Sequence, residues 1–371
     1  MMNPPPAIEW LEIAELDEEP TGNTSLPPAL TLSELDAPLD LSENLLGDRW
    51  LEYHQGALLY GPAGCGKSVA AHQACCEWAA GLAGLHIQPA RPLRIVIIQT
   101  EDSLNDLRET RAGILASSCF GPEQLALVRK NLVILAAVPG GNPADLAALL
   151  DGAASEYQAD LLHVNPLLAW CATDPTKDLG HLLYQVIDPV LKRHRTSFFG
   201  VHHTPKMNRI DTSGYGQHDH QYLAAGDARV ANWPRAMVMI AESKFPVYRF
   251  LLTKRGHRAG WTWDGKPTFE RFFKHHSAPE IRWVDAMPAE VEQAEAVENY
   301  NDLSDLLPAA DKPGISRERI RDLAKNKLGI GKHKADEWTK LLVEDGKLER
   351  LEVPTKSKRK EALFRRALEV R

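Results

Sequence analysis

The stretch Gly61-Pro62-Ala63-Gly64-Cys65-Gly66-Lys67-Ser68 governs how the rest of the chain is read. It has the spacing GxxxxGK[ST], with an apolar run at 57–60 before it and a helical pattern at 68–83 after it. Glycines at these places let backbone N–H groups converge on a β-phosphate, and the amino terminus of the next helix adds a favourable dipole. Lys67 is placed to bridge β- and γ-phosphates and the Ser68 hydroxyl to bind Mg2+, with Val69 following in the first helical turn. A chance glycine turn before a helix is the bland alternative, and it does not explain why strand, loop and helix arrive in this order. The segment reads as a nucleoside-triphosphate site.

Outward from the loop, apolar runs recur at 93–99, 132–136, 161–164, 197–202, 236–241 and 248–253, separated by helical patterns such as 104–116, 143–157 and 179–194. Strand–helix alternation implies crossover connections, so residues 41–263 are expected to form an α/β domain whose mostly parallel sheet is covered on both faces. In such sheets ligands sit at the carboxyl ends of the strands. The run 93–99 ends in Thr100-Glu101-Asp102, where Glu101 is the candidate to polarise an attacking water and Asp102 reads as the cap of the helix beginning at Leu104. The run 161–164 ends in Asn165, where a Mg2+-supporting aspartate is expected; an amide can accept from metal-bound water but brings no charge. Asp160 lies at the wrong end of that run to substitute. The run 197–202 leads into His202-His203, of which one is placed to sense a γ-phosphate and the other reads as a core histidine. The polar, His-rich segment 207–222 reads as a long functional loop.

Composition bounds the alternatives. Of 371 residues 44% are apolar and 25% charged, an ordinary globular balance that excludes a largely disordered or disulfide-stapled chain. No apolar run is long enough for a transmembrane helix, and the Pro-rich, acidic amino terminus lacks the basic and apolar regions of a signal peptide. Five cysteines without metal spacing read as reduced thiols, and a cytoplasmic location is expected. The net charge of −7 is unevenly spread: residues 1–50 carry eleven acids against Arg49 alone, whereas residues 301–371 carry eighteen Lys and Arg against thirteen acids. Nucleic-acid binding, if present, is therefore local.

Residues 1–40 read as an acidic arm and 264–300 as a connector without strand signal, partly helical from 289 onward. Residues 301–371 read as a small separate unit of three helices closed by a hairpin, the order of a winged helix-turn-helix. Lys332, Lys334, Lys340, Lys347, Lys356, Lys358, Arg359, Lys360, Arg365 and Arg366 lie on its third helix and wing. Such a unit suits duplex DNA, or equally a protein partner with the basic face merely solvated.

The run ending in Glu101-Asp102, the Gly200-x-His202-His203-Thr204-x-Lys206 segment, and 226–235 leading to Trp233-Pro234-Arg235-Ala236 together resemble the RepA-like ATPases, plasmid and phage replicative helicases of the RecA/DnaB-type superfamily. The resemblance covers roughly 40–255 and implies a RecA-like core, a homo-hexameric ring with ATP and Mg2+ bound between neighbours, and single-stranded DNA in the channel. Matched position by position, it implies phosphate and metal contacts for Lys67 and Ser68, a catalytic carboxylate for Glu101, and a γ-phosphate sensor for His202 or His203. It also implies an arginine supplied to the neighbouring subunit's nucleotide for Arg235, whose plain reading is a surface arginine. Lys254-Arg255 lies in a basic segment that such enzymes place at the interface; a charged turn between strands is the other reading. Asn165 departs from the pattern and bears on turnover more than on binding.

Two functions follow: an ATP-driven DNA helicase or translocase of a mobile replicon, or an ATP-switched DNA-binding regulator or loader with slow hydrolysis and no unwinding. A metabolic kinase fits poorly with the order of motifs and the paired histidines.

Overall fold

The computed structural model describes residues 29, 31–136, 141–171, 175–204, 219–224, 228–241, 247–276, 280–328, 331–354 and 360–367. Contacts divide the chain into residues 1–41 and 42–371. In the first unit the described part holds one helical turn, Leu32–Leu35, closed by a capping box between Thr31 and Glu34; most of the acidic arm lies outside the described residues.

The second unit is built on a nine-stranded sheet. Its strands are β1 (Gly56–Gly61), β2 (Ile95–Gln99), β3 (Leu132–Ala136), β4 (Leu161–Asn165), β5 (Ser197–His203), β6 (Ala236–Ala241), β7 (Val247–Lys254), β8 (Glu270–His275) and β9 (Trp283–Asp285). Their order across the sheet is β9-β8-β7-β6-β1-β5-β4-β2-β3. The six strands from β6 to β3 run parallel, and β7, β8 and β9 are added antiparallel at one edge. The central strands are buried along their whole length, as parallel strands covered on both faces must be. Every apolar run picked out by the sequence forms a strand, and the α/β class with a mostly parallel sheet is the one observed.

One face is covered by helix α1 (Lys67–Ala79), whose run of Ala and Cys lets it lie close to the sheet, its own Trp78 packed in a core with Trp50, Phe199 and Trp261. The other face is covered by α2 (Pro143–Tyr157), capped by Asn142 with Asp145 at the third helical position, and by the helical stretch through Pro175–His181, Leu182–Ile187 and Asp188–Arg193. The pattern at 104–116 forms the helix Leu104–Leu115.

The expectation for 264–300 is corrected. Residues 270–275 and 283–285 are strands β8 and β9 of the main sheet, so this segment completes the domain rather than linking it to another. Its strands were hidden because they are short and mix charged with aromatic residues, Glu270-Arg271-Phe272-Phe273-Lys274-His275. The helix α3 (Pro288–Asp305) follows directly and leads into a second core of Tyr300, Leu303, Leu307, Ile320, Trp338, Leu342, Leu348 and Phe364. There the order is helix, strand (Ile315–Ser316), helix (Arg317–Leu323), helix (Lys332–Glu344) and two strands (Leu348–Pro354, Lys360–Arg366), the three strands forming a separate antiparallel sheet. All five cysteines are free thiols. Among the described residues no helix is long and apolar enough to cross a membrane.

Candidate nucleotide site

The loop at the carboxyl end of β1 turns through Gly64 (φ +78°) and Gly66 (φ +82°), left-handed conformations that glycine adopts without strain. Open space lies where a side chain at Gly64 would stand. Gly66 is the residue before helix α1, and its carbonyl accepts from the Ala70 N–H, so the helix amino terminus opens at the loop. Lys67 is buried; its ammonium donates to the Pro62 carbonyl and lies 3.9 Å from Cys65 Sγ. Burial pushes the Lys67 pKa down, while Cys65 and Glu101 pull it back. Glu101, exposed at the tip of β2, is thus an electrostatic neighbour of the loop lysine. Val69 turns its side chain into the core and has only its backbone to offer at the loop.

Strand β5 is adjacent to β1, with Gly61 opposite His203 and Tyr60 opposite His202. Successive strand residues point to opposite faces. His203 is half-buried, and burial together with Lys67 lowers its pKa. His202 is buried. Of the pair, His203 is therefore the imidazole that faces the loop lysine. Lys206 and most of 207–222 lie outside the described residues.

Asn165 ends β4, and its Oδ1 accepts from Ser68 Oγ at 3.4 Å. Its Nδ2 donates to Gln99 Oε1 at 3.0 Å, and Gln99 Nε2 donates to Asp102 Oδ2 at 2.5 Å. Burial lowers the pKa of nearby His72, with Asp102 and a hydrogen bond to Gln99 acting the other way. The expected role of Asp102 as helix cap is corrected: Ser103 caps Leu104–Leu115, in a capping box with Asp106, which frees Asp102 to bond Gln99. Gln99 escaped notice as the polar end of an otherwise apolar run. Ser68 Oγ and Asn165 Oδ1 are oxygens of the type Mg2+ takes, and with the open cradle over Gly64 they fit a Mg2+-bound triphosphate.

The loop rests on the segment expected to be a connector. Trp283 Nε1 donates to the Gly66 carbonyl at 3.2 Å, and its backbone exchanges hydrogen bonds with the Gln73 side chain at 2.7 and 3.1 Å. His275 stacks on Trp283 with ring centres 3.8 Å apart. A side chain at Gly66 would run into both rings.

Arg235, Lys254 and Arg255 lie together at the opposite end of the strands from the loop. The Arg235 N–H donates to the carbonyl of Gly56, the first residue of β1, at 2.8 Å. The five steps from Gly56 to Gly61, at about 3.3 Å each, put about 17 Å between that end of β1 and the loop. Arg235 is exposed. Lys254 donates to the carbonyls of Ala231 and Asn232 at 2.9 and 3.1 Å, and its pKa is brought down to about 8 by burial and then by Arg235 and Arg255. Arg255 donates to Gln55 Oε1 at 2.8 Å and lies 3.6 Å from Glu52.

The AAA domain sequence profile matches residues 22–209, just over half of the chain. The chain belongs to the AAA domain family. It is accordingly a P-loop ATPase, built around the Gly61–Ser68 loop. No curated protein sequence matches it. Among solved structures, it is similar to a KaiC-like protein of the hyperthermophilic archaeon Pyrococcus horikoshii OT3, at 12% identity over 64% of this chain and 91% of that chain, with a TM-score of 0.42.

Proposed function

We propose that this ATPase is a RepA-type DNA helicase or translocase that hydrolyses ATP between the subunits of a homo-hexameric ring and acts on single-stranded DNA in the replication of a mobile element. The observation that carries the reading is the distance between the two ends of the central strands. Arg235, Lys254 and Arg255 are gathered about 17 Å from their own loop. No arginine side chain spans that gap, so an exposed Arg235 is suited to a nucleotide held by a neighbour. In this reading Lys67 neutralises phosphate charge, Ser68 holds Mg2+ with Asn165 supporting it through water, Glu101 orients and activates the attacking water, and His203 senses the γ-phosphate. Arg235 completes the neighbour's site, a contribution worth several orders of magnitude in rate where such fingers operate.

Single-stranded DNA should stimulate Mg2+-dependent hydrolysis, and Lys67→Ala should abolish it. Arg235→Ala should keep nucleotide binding while losing turnover, and mixing it with Glu101→Gln protein should restore part of the rate, because a mixed interface pairs an intact arginine with an intact carboxylate. Equal rates with and without DNA, together with no recovery on mixing, would remove the ring reading.

One pair of observations favours an ATP-switched regulator or loader instead. The metal-side position is an uncharged asparagine, and the helix–strand–helix–helix–strand–strand order of 288–366 supports a winged-helix reading of that unit. In the hairpin, Lys347 lies over the Tyr300 ring and Arg365 pairs with Glu349, while 355–359 with its basic cluster lies outside the described residues. A switch binds a forked duplex without displacing a strand, so a strand-displacement assay separates the two.

A further inference from the structure

Asparagine at the metal-side position poses a problem of polarity. An aspartate offers an oxygen whichever way it is turned, whereas an asparagine offers an oxygen on one side and an amino group on the other. Only the oxygen can serve a cation. Asn165 and Gln99 are 1% and 2% exposed, so solvent cannot compensate a wrong orientation.

The orientation is fixed by a one-way chain of donors. A carboxylate accepts hydrogen bonds only, and Gln99 turns its amino group toward Asp102, Nε2 to Oδ2 at 2.5 Å. That presents Gln99 Oε1 to Asn165, which must answer with Nδ2, at 3.0 Å. The Asn165 oxygen is then left facing Ser68 Oγ, at 3.4 Å. Turning Gln99 over would set its oxygen against a carboxylate and its amino group against another amino group, losing two hydrogen bonds at once, the one to Asn165 buried.

We infer that Asp102 and Gln99 are positioning residues that lock the Asn165 amide with its oxygen toward the Mg2+ of a bound nucleotide, so that a neutral side chain does the work of an aspartate. The inference rests on the reading that Ser68 and Asn165 serve a Mg2+-bound nucleotide. Outer groups of this kind govern metal affinity because they fix what the inner ligand presents.

The test is a titration of the full chain with Mg2+, following the binding of a fluorescent ATP analogue, and a parallel titration with Mn2+ read by electron paramagnetic resonance. Asp102→Asn supplies a donor as well as acceptors and so removes the preference of Gln99. It should raise the cation concentration at half-effect by about ten-fold while leaving analogue binding in chelator unchanged. Asp102→Glu, still acceptor-only, should stay near the wild type and guards against a trivial folding defect. Asn165→Asp presents oxygen on either side but sets it against Gln99 Oε1, so adding Asp102→Asn, which frees Gln99 to turn its amino group to the new carboxylate, should leave the midpoint unchanged or lower it. A midpoint unchanged by Asp102→Asn in the natural background overturns the inference, as does an equal shift in both backgrounds. Wild-type protein whose analogue binding ignores Mg2+ would overturn the underlying reading of the site along with it.

Discussion

Asp160, just before β4, and Asn165, its last residue, do unrelated jobs. Asp160, 1% exposed, accepts from both Arg91 nitrogens at 2.9 Å, from the Arg94 backbone at 2.8 Å and from the Tyr53 hydroxyl at 2.8 Å. Burial alone would raise its pKa, but these hydrogen bonds overcome burial and bring it down to about 2. A depressed acid stabilises the fold fully above its unfolded pKa near 4 and loses that contribution as pH falls through about 2. Near-complete ionisation at neutral pH is worth about 2 kcal/mol by this linkage. Asp160→Asn should therefore lower the unfolding free energy by about that much at pH 7, and the deficit should shrink to about half by pH 3. Urea unfolding at the two pH values measures both, and a deficit that stays constant with pH would contradict the account. The sequence placed Asp160 away from the phosphate site because it precedes its strand; its partners at positions 53, 91 and 94 were not legible from spacing.

At the scale of elements, the phosphate loop is seated on β8 and β9. Trp283 offers the Gly66 carbonyl a second donor beside the Ala70 N–H, and its ring packs edge-on against Tyr248 and Phe250. Trp283→Phe keeps an aromatic ring in that packing and deletes one hydrogen bond, a loss of about 1 kcal/mol. If that bond shapes the loop, ATP affinity should fall by about five-fold with little change in melting temperature. Calorimetric titration with nucleotide decides it, and unaltered affinity would show that the indole N–H does nothing for the cradle. The parallel strands were legible because a strand covered on both faces must be apolar throughout. The antiparallel addition was not. Arg271 is buried, but its guanidinium pairs with Asp285, so its charge disguises a strand until that partner is known.

For the whole molecule, the decisive boundary is where the ATPase domain ends. A chain of residues 42–263 would expose the outer edge of β7 and remove the support beneath the loop, whereas 42–287 keeps all nine strands. The longer piece should melt cooperatively and bind nucleotide, and the shorter should aggregate or fail to bind; comparable folding of both would return 264–287 to the status of a connector. By itself the sequence determined the phosphate loop, the α/β class and the places of the seven apolar strands, because turn geometry and strand burial are imposed over a few neighbouring residues. Only the tertiary structure decided which way the Asn165 amide points, what supports Gly66, and that Arg235 and Lys254 meet far from their own loop. Each of these depends on hydrogen bonds or charges between residues distant in the chain, such as 99 with 165 and 66 with 283, and no local pattern encodes which residue the fold will set opposite another.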